Sequence, residues 1–176
     1  MRSSLPPTDA RNPRHHTRRY CWSRVADVTV RAARPSDLDQ LLSLYVELAA
    51  DKRSARPADG ERARPILRSI LAQPSRHLLV AELEQRLAGT IDMLIVQNLT
   101  HRGAPWAVVE NVIVSERYRR HGVARALFER AIATAKESGC CKLELMSGKH
   151  RVGAHAFYRS VGMEAVAEGF KIYFDA

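Results

Sequence analysis

The chain has 176 residues, of which 45% are hydrophobic and 27% are charged, as is typical of one soluble globular domain. It contains no apolar run as long as a membrane span and no apolar segment of the secretory type near its start, so we expect neither a membrane protein nor a secreted one. Three cysteines, two of them adjacent as Cys140 and Cys141, make no disulfide framework and favour the reducing cytoplasm.

The net charge of +9 is unevenly distributed along the chain. Residues 1–24 contain six arginines and one acid, together with three prolines and no hydrophobic periodicity, which predicts a disordered basic tail before a single folded domain over residues 25–176. Such a tail has the charge to bind nucleic acid or an acidic surface, and a solvated extension is the favoured interpretation. Its His15, His16 and Cys21 do not predict a metal site, because a fourth ligand is missing.

The first half of the chain predicts a strand, two helices and two further strands. Pro35 and Ser36 open the first helix, in which apolar residues recur at helical spacing, and Arg64 with Pro65 opens the second, which ends near Gln73. The predicted strands are residues 28–32, 77–82 and 87–99, and a polar loop covers residues 51–60.

The second half alternates strands and helices and ends on two short strands. The predicted strands are residues 107–115, 142–146, 164–167 and 171–174, and the predicted helices are residues 123–138 and 154–160. The order β-α-α-β-β-β-α-β-α-β-β predicts a mixed α/β (α+β) fold.

A short basic turn, Arg119-Arg120-His121-Gly122-Val123-Ala124, joins the predicted strand 107–115 to the long helix. Backbone N–H groups at a helix start are unpaired and attract anions, and a glycine lets a phosphate approach the backbone closely. Val123-Ala124 stands where a Walker motif needs Lys-Ser/Thr, and the three spaced glycines of a dinucleotide motif are absent. An ordinary basic turn that caps the helix is the alternative.

The pattern Arg-x-x-Gly-x-Ala resembles the pyrophosphate-binding motif of the GNAT superfamily of acyl-CoA-dependent N-acetyltransferases. Two further segments resemble that family in order and spacing. The run 107–114 is interrupted by one acid, Glu110, and the helical run 155–163 carries the pair Phe157-Tyr158 and ends at a glycine. The resemblance implies a single GNAT-like N-acetyltransferase domain with a twisted, mostly antiparallel sheet flanked by helices, in which one parallel strand pair splays apart.

The resemblance also implies acetyl-CoA as co-substrate and assigns roles to residues of this chain. Glu110 is the candidate general base, acting directly or through water, and Tyr158 is the candidate general acid toward the leaving thiolate. Asp92 is a second candidate base, and otherwise a substrate contact or a solvated side chain. The expected coenzyme-binding residues are Val112, Ile113 and Val114 through their backbone, and Arg119, Arg120, His121, Gly122, Val123 and Ala124.

The acceptor implied by the resemblance is a primary amine of a small molecule or a peptide. Acidic side chains of the first helices and their loop, with Asp92 and the turn 98–106, would attract a cationic amine. These acids are Glu47, Asp51, Glu61 and Asp92. Two other functions stay open, a non-catalytic acyl-CoA-binding module and nucleic-acid binding through the arginine-rich tail. A homodimer is also left open.

Overall fold

The computed structural model describes residues 28–50 and 56–174. The predicted tail of residues 1–24, with His15, His16 and Cys21, lies outside these residues. Within the described part of the chain, no helix is both long enough and apolar enough to cross a membrane.

The described residues form one five-stranded sheet with the spatial order β1-β2-β3-β4-β5. Its first four strands pair antiparallel, and β5 pairs parallel with β4. The strands are β1 Thr29–Ala32, β2 Arg76–Leu83, β3 Arg86–Val96, β4 Trp106–Val114 and β5 Leu143–Leu145. This mixed, mostly antiparallel sheet confirms the predicted fold class.

Helices cover both faces of the sheet in the described ranges. Apolar side chains of α1 and α2 pack on one face, while those of α3 and α4 pack on the other. The helices are α1 Leu38–Ala50, α2 Gly60–Leu71, α3 Val123–Glu137 and α4 Val152–Ser160. The predicted helix over residues 123–138 is confirmed, and Gly139 follows it with a φ of +73°, the left-handed conformation that commonly ends helices.

The long helix α3 lies very close to the sheet, and Gly89 of β3 makes this approach possible. A Cβ atom on Gly89 would lie 2.7 Å from the carbonyl oxygen of Ile113 and 3.1 Å from Val123 Cγ1. Leu127 and Phe128 of α3 are fully buried against this surface. The packing fixes the position of the start of α3 beside the end of β4.

Two predictions of local structure are wrong. The second helix begins at Gly60 rather than Arg64, because the Asp59 carboxylate accepts a hydrogen bond from the Arg62 N–H at 2.9 Å and caps an earlier start. The predicted strands 164–167 and 171–174 do not form, and residues 164–174 have no regular secondary structure. Alternating apolar residues form a strand where one face is buried, but Phe170 is 89% exposed here.

Candidate active site

The parallel strands β4 and β5 separate where the chain of β4 continues beyond its partner. β5 pairs with β4 only at Ala107, Val108 and Val109, yet β4 continues to Val114. From Glu110 onward, the edge of β4 that faces away from β3 is therefore not covered by β5. This opening corresponds to the splayed strand pair that the family resemblance implies.

A bulge in β4 sets which amides face the opening. Asn111 has a φ of +51°, and the pairing of β4 with β3 shifts register at this point. After the bulge, Ser115 donates its N–H to the Ala88 carbonyl of β3 at 2.9 Å. Because successive residues of a strand direct their backbone polar groups to opposite edges, Val112 and Val114 direct theirs toward the opening.

The basic turn places Gly122 at the N-cap of α3. Gly122 has a φ of +80°, a conformation that strains any residue with a Cβ atom, and no side chain of residues 28–50 or 56–174 caps the helix start. The Ala126 N–H donates to the Gly122 carbonyl at 3.0 Å. The N–H groups of Val123 and Ala124 precede this first intrahelical bond, so they are available to an anion with the positive end of the helix dipole behind them.

A cleft of about 990 Å³ joins the opening in the sheet to the start of α3 and to α4. Eight of the predicted coenzyme-binding residues line it, namely Val112, Ile113, Val114, Arg119, Arg120, Gly122, Val123 and Ala124. The predicted His121 is not among the lining residues, and its Nδ1 lies 2.8 Å from the Arg119 carbonyl oxygen. Arg125, which was not among the predicted coenzyme-binding residues, also lines the cleft from the first turn of α3.

Tyr158 of α4 lies in the wall of this cleft and is mostly buried. Its ring packs against Phe128 and Phe157, with centroids 5.6 and 5.7 Å away. Burial raises the pKa of the Tyr158 hydroxyl, and the nearby charge of Arg151 opposes this rise. The hydroxyl therefore keeps its proton at neutral pH, as a proton donor must.

Glu110 lies beside the opening, on the face of the sheet that carries α1 and α2. It is half-buried, is not a lining residue of the cleft and stands opposite Asp92 in the pairing of β4 with β3. Asp92 is only 2% exposed, and Arg76 donates to both of its carboxylate oxygens at 2.9 and 2.5 Å. The interpretation of Asp92 as a solvated side chain is therefore wrong, and its pairing leaves it poorly suited to act as a base.

Another acid of the predicted acceptor region, Glu47 of α1, is also engaged within the protein. Its carboxylate accepts from the Ser115 hydroxyl at 3.0 Å and from the Glu116 N–H at 2.9 Å, and it lines the cleft. Glu61 is exposed in the first turn of α2, and Asp51 lies outside the described residues. The predicted acids thus do not gather into one described anionic pocket.

The adjacent cysteines lie at the far end of the sheet from the opening. Cys140 and Cys141 follow α3, and the Cys141 N–H donates to the Pro105 carbonyl at 2.8 Å, just before β4 begins. Burial raises the pKa of the Cys140 thiol, which favours the less reactive thiol form over the thiolate. Neither residue lines the cleft.

The family model described as "Acetyltransferase (GNAT) family" matches residues 41–163, which include the whole of the cleft wall. The chain belongs to this family. The match extends from α1 through the bulged strand and the basic turn to α4.

Individual proteins are also similar to this chain in sequence or in fold. A protein of Agrobacterium tumefaciens str. C58 assigned as an acetyltransferase is 36% identical, with a TM-score of 0.75 over 83% of this chain and 99% of that one. A structure described as a transcriptional regulator from Bacillus halodurans C-125 is 30% identical, with a TM-score of 0.74 over 84% of this chain and 99% of that one. Human N-acetyltransferase 8 is 29% identical over 105 residues, which cover 60% of this chain and only 46% of the human protein.

Proposed function

We propose that this GNAT protein transfers an acetyl group from acetyl-CoA to a primary amine by direct attack, without a covalent enzyme intermediate. The observation that carries the proposal is that one continuous cleft connects the uncovered edge of β4 to the start of α3. An extended arm with amide groups suits the strand edge, and a pyrophosphate suits the helix start.

The residues of the cleft fit acetyl-CoA in two places. The backbone of Val112 and Val114 would pair with the amides of the pantetheine arm, because β5 does not cover that edge. The amides of Val123 and Ala124 would hold the pyrophosphate, with Arg119 at the rim. Acetyl-CoA supplies the activated acetyl thioester, and the chain supplies position and proton transfer.

The proposed catalytic groups approach the opening from its two sides. Glu110, on the face of α1, would take the proton of the attacking amine directly or through one water. The Val112 N–H would stabilise the oxyanion, since it is aimed into the opening. Tyr158, on the face of α4, would donate its proton to the leaving thiolate.

The acceptor would be a primary amine of a small molecule or a peptide that enters on the face of α1 and α2. Asp92 is paired with Arg76, and the Glu47 carboxylate accepts from the Ser115 hydroxyl and the Glu116 N–H. Because these acids already have partners, the acceptor need not be a polycation. We place the protein in the cytoplasm, since Cys140 and Cys141 are free thiols.

Thermal unfolding with and without acetyl-CoA tests the coenzyme site. Gly122→Glu puts a side chain and a negative charge where the phosphates would lie, so we expect it to abolish the stabilisation that acetyl-CoA gives the native protein. Gly139→Glu is the matched control, because Gly139 also has a positive φ but lies at the other end of α3. Equal stabilisation of both variants, or no stabilisation of the native protein, would contradict the proposed site.

Release of CoA thiol across a panel of amines tests catalysis itself. The panel should include an aminoglycoside, a polyamine, an amino acid and a peptide with a free α-amine. We expect turnover with at least one of them. A protein that acetyl-CoA stabilises but that acetylates no member of the panel would instead behave as an acyl-CoA-binding module.

A further inference from the structure

A partly buried ion pair lies beside the proposed base on the face of the sheet that carries α1. Arg76 of β2 donates from Nε to Asp92 Oδ1 at 2.9 Å and from Nη2 to Oδ2 at 2.5 Å. The Asp92 side chain is 3% exposed and that of Arg76 is 22% exposed. Two parallel hydrogen bonds fix both the position and the orientation of the guanidinium.

This pair is adjacent to Glu110 by the register of the sheet. Asp92 pairs directly with Glu110, so their side chains leave the same face with Cβ atoms roughly 5 Å apart. Arg76 pairs with Leu94, two residues along β3, and therefore reaches Asp92 diagonally. The guanidinium thus lies at Asp92, the residue directly opposite Glu110 on the neighbouring strand.

The elements around Glu110 present other titratable groups to this face of the sheet. Glu144 of β5 pairs with Val108, two residues before Glu110, and accepts a hydrogen bond from Lys142 Nζ at 2.5 Å. Tyr45 of α1 faces Asp92 and Arg76, but burial, with a smaller contribution from the charge of Asp92, raises its pKa to about 12 and keeps it neutral. Glu47 of α1 is directed to Ser115 and Glu116 instead. Helix α2 buries Ala63 and Leu67 in the core and exposes its charged residues.

We propose that Asp92 is a positioning residue that sequesters Arg76 and so leaves the Glu110 carboxylate free to accept a proton. The guanidinium is charged at every working pH. Without the Asp92 carboxylate it would turn to the neighbouring Glu110, and that new pair would weaken Glu110 as a base and obstruct the amine. The inference rests on the proposed role of Glu110.

The test compares pH profiles of kcat/KM for the native protein, Asp92→Asn and the double variant Asp92→Asn/Arg76→Gln. We expect Asp92→Asn to lower kcat/KM by about 10-fold or more and to move the acid limb of the profile about one pH unit lower, because Arg76 then pairs with Glu110. The double variant removes the cation as well, so we expect kcat/KM to return to within about threefold of native. A double variant as impaired as Asp92→Asn would overturn the inference.

The same substitution in a Glu110→Gln background separates this inference from the proposed function. If Asp92 acts through Glu110, Asp92→Asn should cause no further loss there, whereas an equal loss in both backgrounds would indicate a merely structural role and overturn the inference. Native turnover of Glu110→Gln alone would instead remove Glu110 as the base.

Folding is checked for every variant by thermal unfolding and by acetyl-CoA binding. If Asp92→Asn alone does not fold, the double variant, in which both charges of the pair are removed, still tests the inference. Turnover within about threefold of native supports the inference, since the Arg76 cation is then no longer there to pair with Glu110. A loss as large as that of Glu110→Gln, in a folded double variant that binds acetyl-CoA, would overturn it.

Discussion

On the face of the sheet that carries α3 and α4, the candidate site is made largely of backbone groups. The uncovered edge of β4 and the uncapped amides after Gly122 carry no special side chains. On the face that carries α1 and α2, the neighbourhood of Glu110 is instead built from side chains that meet across strands, such as Arg76 with Asp92. The coenzyme side of the site therefore depends on chain geometry, whereas the acceptor side depends on pairs of charges.

The largest expected effect lies on the acceptor side. Glu110→Gln keeps the shape of the side chain but removes the proposed base, so we expect kcat to fall about 100-fold. The Kd of acetyl-CoA should stay within a factor of two, because Glu110 is not part of the cleft wall. Steady-state kinetics and a binding titration measure the two quantities. If the affinity for acetyl-CoA fell as much as kcat, the proposed separation between an acceptor face and a coenzyme face would be contradicted.

The next effect lies on the coenzyme side. Tyr158→Phe removes a hydroxyl whose pKa burial has raised and leaves the ring that packs on Phe128 and Phe157 in place. We expect kcat to fall about 10-fold, a smaller loss than at Glu110, because a thiolate with a pKa near 8.5 leaves fairly well unaided. Phe157→Tyr is the control for disturbance of the aromatic cluster. Unchanged kcat in Tyr158→Phe would show that another group protonates the thiolate.

The smallest effect concerns stability on the side of α1. Asp37 accepts from Arg31 Nη1 at 2.7 Å and from Nη2 at 2.9 Å, and also from the Arg34 N–H at 2.7 Å. The hydrogen bonds from Arg31 hold the pKa of this buried carboxyl below 3.8, with the Arg34 N–H as a smaller cause. Its stabilisation is therefore present above that ordinary value and is lost as the pH falls through the lower folded-state pKa.

Asp37→Asn should accordingly lower Tm at pH 7 by about 5 °C, the shift expected for about 2 kcal/mol in a chain of this size. The difference from the native protein should shrink as the pH falls below 3.8. Melting curves between pH 2 and pH 7 measure it, with the exposed Asp39→Asn as the control. A Tm difference that does not change with pH would contradict the ion-pair account.

Chain-local features of the coenzyme side could be predicted from the sequence. The start of α3 could be located from Gly122 and the helical periodicity that follows it. A left-handed N-cap and an amphipathic helix both leave local signals in the sequence. The sequence also shows that Asn111 interrupts the apolar strand, but its backbone conformation, and hence the direction of the Val112 amide, follows from pairing with β3.

The acceptor side could not be predicted in the same way. Asp92 and Arg76 are 16 residues apart in the chain, and Ser115 is 68 residues from Glu47, which its hydroxyl contacts. No local sequence pattern therefore predicts either contact. The prediction of two final strands was wrong for a related reason. Alternation of apolar residues within residues 164–174 specifies which side chains share a face, but it does not specify a partner strand.

Amide hydrogen exchange with and without acetyl-CoA tests most directly the claim that one cleft unites the strand edge with the start of α3. The account predicts slower exchange at Val112 and Val114 and at Val123 and Ala124, with no change in β1. Slowed exchange elsewhere in the protein, with all four of these amides unaffected by saturating acetyl-CoA, would contradict it.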